Sequence, residues 1–276
     1  MNLTSTVTLH NGVEMPRFGL GVFKSEPGAE TRDAVVSALQ AGYRSIDTAT
    51  FYENEQSVGE GLAASGVPRD QVFVTTKVWN TDQGYQRTLE VFEESMDYLQ
   101  LETLDLYLIH WPMAETFIET WRALEKLYDD GRVRAIGVSN FEPHHLERLQ
   151  RESGIVPVVN QVELHPYLQQ NELRDYCREA GIAVEAWSPI ARGQVVDDSV
   201  LQEIGAAHGK SPVHATIRWE LQHGIITIPK SVKPHRIADN ADVFDFELSA
   251  AEMARIDALD QGESGRLGPH PDTIGG

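Results

Sequence analysis

Leu106-Tyr-Leu-Ile-His110 is an apolar run, too short for a helix, that ends on an imidazole. It reads as a buried strand handing a reactive side chain to the loop beyond it. Ser45-Ile-Asp47 with Tyr52 in the following loop, Phe73-Val-Thr-Thr-Lys77, Val138-Ser139-Asn140 and Val159-Asn160-Gln161 repeat the pattern. Comparable runs end near Gly21, Asp47, Thr76, His110, Ser139, Gln161, Trp187 and Pro229, and helical periodicity fills the gaps. Phe117, Ile118, Trp121, Leu124, Leu127 and Tyr128 show that spacing in one such gap. Glycines at Gly42, Gly131, Gly181 and Gly224 stand where left-handed helix caps belong, just before the next strand. Ser211-Pro212 and the capping box Ser249-Ala-Ala-Glu252 mark helix starts.

Eight alternating units without a change of composition fit one domain, residues 1–276, folded as a closed (β/α)₈ TIM barrel. In that fold reactive groups gather at the C-terminal ends of the strands, where Asp47, Lys77, His110, Asn140 and Gln161 fall. Before the first barrel strand, Asn11-Gly12 between Val7–His10 and Val13–Met15 signals a β-hairpin that plugs the bottom. After the last unit, residues 249–260 read as an extra helix followed by an irregular tail.

With 276 residues, 41% hydrophobic and 24% charged, the chain can bury about three quarters of its unfolded surface around one core. A formal charge of −19 opposes nucleic acid or an anionic membrane as partner, since both require a positive field. The start of the chain lacks a basic segment followed by an apolar one, and no apolar run approaches a membrane span. Cys177 is alone, which excludes an intramolecular disulfide and suits a reducing cytoplasm. Against the acidic background, Lys230-Ser-Val-Lys-Pro-His-Arg236 concentrates positive charge for an anionic ligand.

Two motifs are missing. No G-x-G-x-x-G follows a strand: Gly19-Leu-Gly21 lacks the third glycine, and Gly59, Gly61 and Gly66 lie in or at the end of a helical stretch. His144-His145 and Glu163-Leu-His165 lack the spacing of a metal-ligand pair, so no metal is expected.

The chain resembles the aldo-keto reductase superfamily, and within it the bacterial 2,5-diketo-gluconate reductases. The resemblance rests on Gly42-Tyr-Arg-Ser-Ile-Asp-Thr-Ala49, Tyr52-Glu-Asn-Glu55, Thr75-Thr-Lys-Val-Trp79, Asp105-Leu-Tyr-Leu-Ile-His-Trp-Pro112, Ile136-Gly-Val-Ser-Asn140, Asn160-Gln-Val-Glu-Leu-His-Pro166 and Ile228-Pro-Lys-Ser231. It implies a catalytic tetrad of Asp47, Tyr52, Lys77 and His110, with NADPH as cofactor. It further implies cofactor contacts at Gly21, Val22, Ser139, Asn140, Gln161, Trp187, Ser188, Ile190, Lys230, Ser231, Val232, Arg236, Asp239 and Asn240. Among these, Lys230, Ser231 and Arg236 would hold the adenosine 2′-phosphate and Trp187 would stack on the nicotinamide. Trp187 and Asp239 depart from the Tyr and Glu frequent in the family. Phe23, Trp79, His110 and Trp111 would meet the substrate, and Arg266 or His270 in the tail would face an acidic one.

The residues support those roles chemically. Hydride addition to a carbonyl leaves an alkoxide, so a proton donor must meet the oxygen. Tyr52 would be that donor, made more acidic by a cationic Lys77 that Asp47 keeps charged, while His110 holds the carbonyl oxygen. The expected activity is therefore NADPH-dependent reduction of small aldehydes and ketones, α-dicarbonyls or keto-sugar acids by a monomer. The alternatives are an NADPH-binding redox sensor with little turnover, or a metal-dependent barrel hydrolase.

Overall fold

The computed structural model describes residues 1–274. It begins with an antiparallel hairpin, β1 (Thr6–Thr8) and β2 (Glu14–Pro16), in register Val7 to Met15. Gly12 turns the hairpin at φ 86°, a conformation that favours glycine. Leu9 and Met15 pack against Phe73, Leu106, Leu108, Ala135 and Val159, so the hairpin seals the lower end of the barrel interior as the Asn-Gly signal implied.

Eight parallel strands follow: β3 (Leu20–Gly21), β4 (Ser45–Asp47), β5 (Phe73–Val78), β6 (Leu104–Ile109), β7 (Val133–Ser139), β8 (Val159–Glu163), β9 (Ala183–Trp187) and β10 (Ile226–Thr227). They pair in sequence order, and bridges from Phe18 to Thr227 and Gly21 to Lys230 bring the last strand back to the first. Gly19 N donates to Thr227 O at 3.0 Å across this seam, and Thr227 N donates to Arg17 O at 3.1 Å. A Cβ on Gly21 would sit 2.9 Å from Ile228 O, so closure at that point requires glycine.

Alternation along the strands sorts the core into two populations. Phe73, Leu106, Leu108, Ala135 and Val159 face the barrel interior, whereas Val74, Tyr107, Ile109, Ile136 and Val138 face the helices. The helices are α1 (Ala29–Gln40), α2 (Glu55–Ala64), α3 (Tyr85–Leu99), α4 (Phe117–Asp129), α5 (Pro143–Glu152), α6 (Asn171–Ala180), α7 (Ser199–Ala207), α8 (Pro212–Gln222), α9 (Pro234–Asn240) and α10 (Ala250–Asp257). The cap glycines Gly42, Gly131, Gly181 and Gly224 have φ between 71° and 100°, as their positions implied. Gly59 and Gly61 lie in α2, where a Cβ would meet α3 backbone and Val35 at 2.7 Å. These glycines serve helix packing, not a nucleotide loop.

One unit differs from the regular pattern. Both α7 and α8 separate β9 from β10, and α7 begins where Asp198 Oδ1 accepts from Val200 N and Leu201 N at 2.8 and 3.1 Å. That N-cap is readable in the sequence as Asp198-Ser199 once a second helix is sought there.

Candidate active site

The parity that places Phe73 and Leu106 inside the barrel also turns Lys77 and His110 inward at the upper ends of β5 and β6. Lys77 is fully buried, and its Nζ donates to Asp47 Oδ1 at 2.7 Å, to Thr48 O at 2.8 Å and to Tyr52 OH at 3.4 Å. Tyr52 ends a short turn, Thr50–Tyr52, that is fastened on two sides. Thr50 Oγ1 donates to Lys77 O at 2.9 Å, and Asn54 Nδ2 donates to Val22 O and Ser25 O, each at 3.1 Å. The phenol is thus held by the strand that carries its lysine and by the loop after β3. His110 completes the group, its ring 5.7 Å from that of Tyr52 and 5.0 Å from that of Trp79, nearly perpendicular to both.

The electrostatics follow from burial. Burial pushes the Tyr52 phenol above its ordinary range; Lys77 pulls it back and Asp47 pushes it up, leaving the net direction upward. The lysine therefore offsets desolvation without making this phenol acidic in the free protein, contrary to the sequence expectation. Burial is the strongest single influence on Lys77 and opposes its charge, yet Asp47, Tyr52 and Glu185 together outweigh it and keep the ammonium charged. His110 is held well below the ordinary histidine value by burial and by the Lys77 cation, so its imidazole is neutral at pH 7.

Above these groups lies a cavity of about 660 Å³. Asp47, Tyr52 and His110 line it together with the aromatic side chains of Phe23, Trp79 and Trp111. Ser139, Asn140, Gln161 and Trp187 also border it, and Gly21, Ser188, Ile190, Lys230 and Arg236 extend the lining. The remaining expected contacts do not line this cavity. Val22 and Val232 pack on the core, Ser231 Oγ accepts from Lys233 N at 3.1 Å, Asp239 lies 3.6 Å from His214, and Asn240 is buried.

Asn140 is already engaged: its Oδ1 accepts from Trp187 Nε1 at 2.8 Å, and its Nδ2 donates to His110 O at 2.9 Å and Ser139 Oγ at 3.0 Å. Asn140, Ser188 and Arg192 adopt left-handed φ values of 64°, 53° and 53° around the cavity. Such backbone for non-glycine residues concentrates at functional sites, where surrounding structure must hold it.

Sequence reasoning missed Phe51, which stacks on Trp79 at 3.8 Å between ring centroids, and Lys24, Arg192, Pro269 and Ile274 on the cavity wall. Phe51 and Lys24 adjoin the expected Tyr52 and Phe23, so adjacency was an available signal. Pro269 and Ile274 are brought in by the tail, which Glu163 secures. Its Oε1 accepts from Leu267 N at 2.7 Å and its Oε2 from Gly268 N at 2.8 Å. A Cβ on Gly268 would lie 2.5 Å from Trp187, so the tail rests directly on that indole. Burial works against charge on Glu163, but donors from His165, Leu267 and Gly268 hold its carboxyl below the usual range.

Two tail expectations are corrected by this geometry. Arg266 is occupied by Glu263 at 2.7 Å and lies 3.8 Å from Glu142, so it does not face the cavity. His270 lies 3.6 Å from Glu263 and likewise stays off the cavity wall. The His144-His145 pair gathers around Asp272, at 3.1 and 3.5 Å. His145 Nδ1 accepts from Glu142 N at 3.2 Å in a helix cap, which leaves the proton on Nε2 facing Asp272. A ring with its proton on Nε2 offers no lone pair there to a metal.

Comparison with known proteins agrees with the fold. The Aldo/keto reductase family model matches residues 17–261, and the chain belongs to that family. It is 59% identical to a glyoxal reductase of Bacillus subtilis (strain 168), over 99% of this chain and 98% of that one. A 9,11-endoperoxide prostaglandin H2 reductase of Trypanosoma cruzi (strain CL Brener) is 55% identical over 97% of this chain and 95% of its own. Among solved structures, a variant of Gox0644 in complex with NADPH superposes with a TM-score of 0.94 at 46% identity, covering 98% of both chains. An aldo-keto reductase of Bombyx mori in complex with NADP gives 0.88 at 36% identity, covering 95% of this chain and 94% of that one.

Proposed function

We propose that this protein reduces small aldehydes and α-dicarbonyls to alcohols with NADPH, and that Tyr52 is the proton donor. The observation that carries the reading is the buried Asp47–Lys77–Tyr52 chain beside a neutral His110, at the floor of an aromatic cavity. NADPH, when bound, supplies the hydride. His110 donates an N–H to the substrate oxygen and holds it near the phenol, and Tyr52 transfers its proton as negative charge develops there. Lys77 stabilises the phenolate that remains, and Asp47 keeps Lys77 charged and oriented.

The residues present suit the cofactor at both ends. Gln161 Nε2 uses its two hydrogens on carboxylates, at 2.8 and 2.7 Å, which leaves its side-chain oxygen for the cofactor's carboxamide. Lys230 and Arg236 border the other end, and among the described residues no carboxylate lies within ion-pair distance of Arg236. A free guanidinium on an acidic protein is suited to a forked contact with the 2′-phosphate. Phe23 and Phe51 are 44% and 47% exposed, an uncommon exposure for phenylalanine that fits a substrate-facing mouth. The glyoxal reductase relative, and a methylglyoxal reductase of Salmonella typhimurium at 47% identity, favour small dicarbonyls over keto-sugar acids.

Tyr52→Phe tests the assignment. Its turnover of methylglyoxal should fall by about 10³-fold or more, the scale of losing a positioned proton donor, while NADPH binding persists. Turnover within tenfold of wild type would overturn the role.

A further inference from the structure

Glu185 lies beneath this site and has no part in the chemistry above. It sits on β9 two residues before Trp187, on the same face, and is fully buried. Its Oε2 accepts from Gln161 Nε2 at 2.7 Å; its Oε1 has no hydrogen-bond partner. The same Gln161 nitrogen donates to Asp47 Oδ2 at 2.8 Å, and Asp47 Oδ1 accepts from Lys77 at 2.7 Å. One amide therefore bridges two carboxyl groups in an interior that offers them a single cation.

The groups facing Glu185 can be named from every neighbouring element. β8 presents Gln161, β4 presents Asp47, and β5 presents Lys77 with Tyr52 beyond it. β10, on the other side, pairs Ile226 with Glu185 and contains no titratable residue. Asp47 takes the lysine directly, whereas Glu185 receives only a neutral amide donor. Ionising both carboxyls would leave a net negative charge in a low-dielectric interior, which is costly, so one must stay neutral. The partnerless Oε1 is where a proton can sit.

We propose that Glu185 is a positioning residue: a carboxyl kept neutral in the working enzyme, which holds Gln161 toward the cofactor and leaves Asp47 as the carboxylate paired with Lys77 beside Tyr52. The proposal rests on the reductase reading for its consequence, but the protonation state can be measured without turnover. Burial, with Asp47 next, pushes the Glu185 carboxyl up to about 8. The group is then protonated at pH 7 and ionised at pH 9. Ionised, it would raise the Tyr52 pKa and make the phenol a poorer donor.

Infrared spectra recorded from pH 6 to 10 should show the carbonyl stretch of a protonated carboxyl that disappears with a midpoint near 8 and is missing from Glu185→Gln. Glu220, whose buried carboxyl is also raised well above its ordinary value, contributes equally to both proteins and cancels in their difference. Single-turnover hydride transfer from NADPH to methylglyoxal should slow about threefold across the same midpoint in wild type. Threefold is about 0.7 kcal/mol of barrier, and its direction follows from an ionised Glu185 making Tyr52 a poorer donor. The step should be missing from Glu185→Gln. Gln161→Leu serves as a second variant: it removes the donor that favours the ionised form, so the infrared midpoint should move upward by about one unit. Identical infrared titrations in wild type and Glu185→Gln, or an unmoved midpoint in Gln161→Leu, would overturn the proposal. A wild-type protein that shows the infrared titration but oxidises no NADPH would instead overturn the reductase reading.

Discussion

The two ends of the cavity are built differently. At the reactive end, Asp47, Lys77 and His110 project from β4, β5 and the end of β6, all but buried, each fixed by neighbouring strands. At the opposite end, Lys230 and Arg236 stand on the exposed loop and helix after β10, with Lys230 Nζ donating to Lys24 O at 3.0 Å. Proton transfer requires groups held to a fraction of an ångström in a dry interior. Gripping a phosphate requires positive charge near water, where a mobile side chain still contributes. A substitution at the first end should therefore damage rate, and one at the second should damage affinity.

Lys77→Met should break this contrast most severely. It removes the cation from a site in which Asp47 is already desolvated, so turnover should fall by about 10³-fold or more while the isosteric side chain preserves packing. Stopped-flow measurement of hydride transfer checks it; loss confined to KM would erase the distinction between the two ends. Arg236→Ala is the complementary case. NADPH should bind about 30-fold more weakly, from the roughly 2 kcal/mol of a hydrogen bond to a charged group, with NADH nearly unaffected. Fluorescence titration with both cofactors decides, and equal losses would show that Arg236 acts on something other than the 2′-phosphate. NADPH affinity should also weaken as salt rises, whereas the single-turnover rate at saturation should hardly change.

A smaller effect is expected where neither rate nor cofactor is involved. Glu220 is fully buried on α8 and neither carboxylate oxygen has a hydrogen-bond partner, so burial raises its carboxyl well above the ordinary value. Above about pH 4.5 the unfolded chain releases this proton while the folded one retains it, so stability falls as pH rises toward the folded value. Glu220→Gln removes that dependence. Its Tm should exceed that of wild type by a few degrees at pH 8 and approach it at pH 4.5. A difference independent of pH would show that packing, not ionisation, is responsible.

Much of this was legible because strands and parity carry it. Asp47, Lys77 and His110 end apolar runs, and the alternation that buries Leu106 and Leu108 fixes which way His110 points. The loop-borne part was less legible. Ser231 and Asp239 turn to Lys233 and His214, and no periodicity in residues 230–240 specifies that. Arg266 was misread for a related reason: an arginine in a tail carries no mark of its partner, and Glu263, three residues earlier, claims it. Glu185 lies in a readable strand, yet its significance depends on Gln161 bridging it to Asp47 across three strands. Tyr52 shows the same limit, since the balance between burial and Lys77 is set by depth and not by residue type.

The grip of Glu163 on the tail also bears on the order in which the site is made. Its partners Leu267 and Gly268 lie 104 and 105 residues further along the chain. During synthesis the strands that carry Asp47, Lys77 and His110 emerge first, and the wall formed by Pro269 and Ile274 emerges after every strand. The ribosome thus delivers the acid–base machinery long before the tail that rests on Trp187, and a chain stalled before residue 267 would lack the Gly268 contact on that indole.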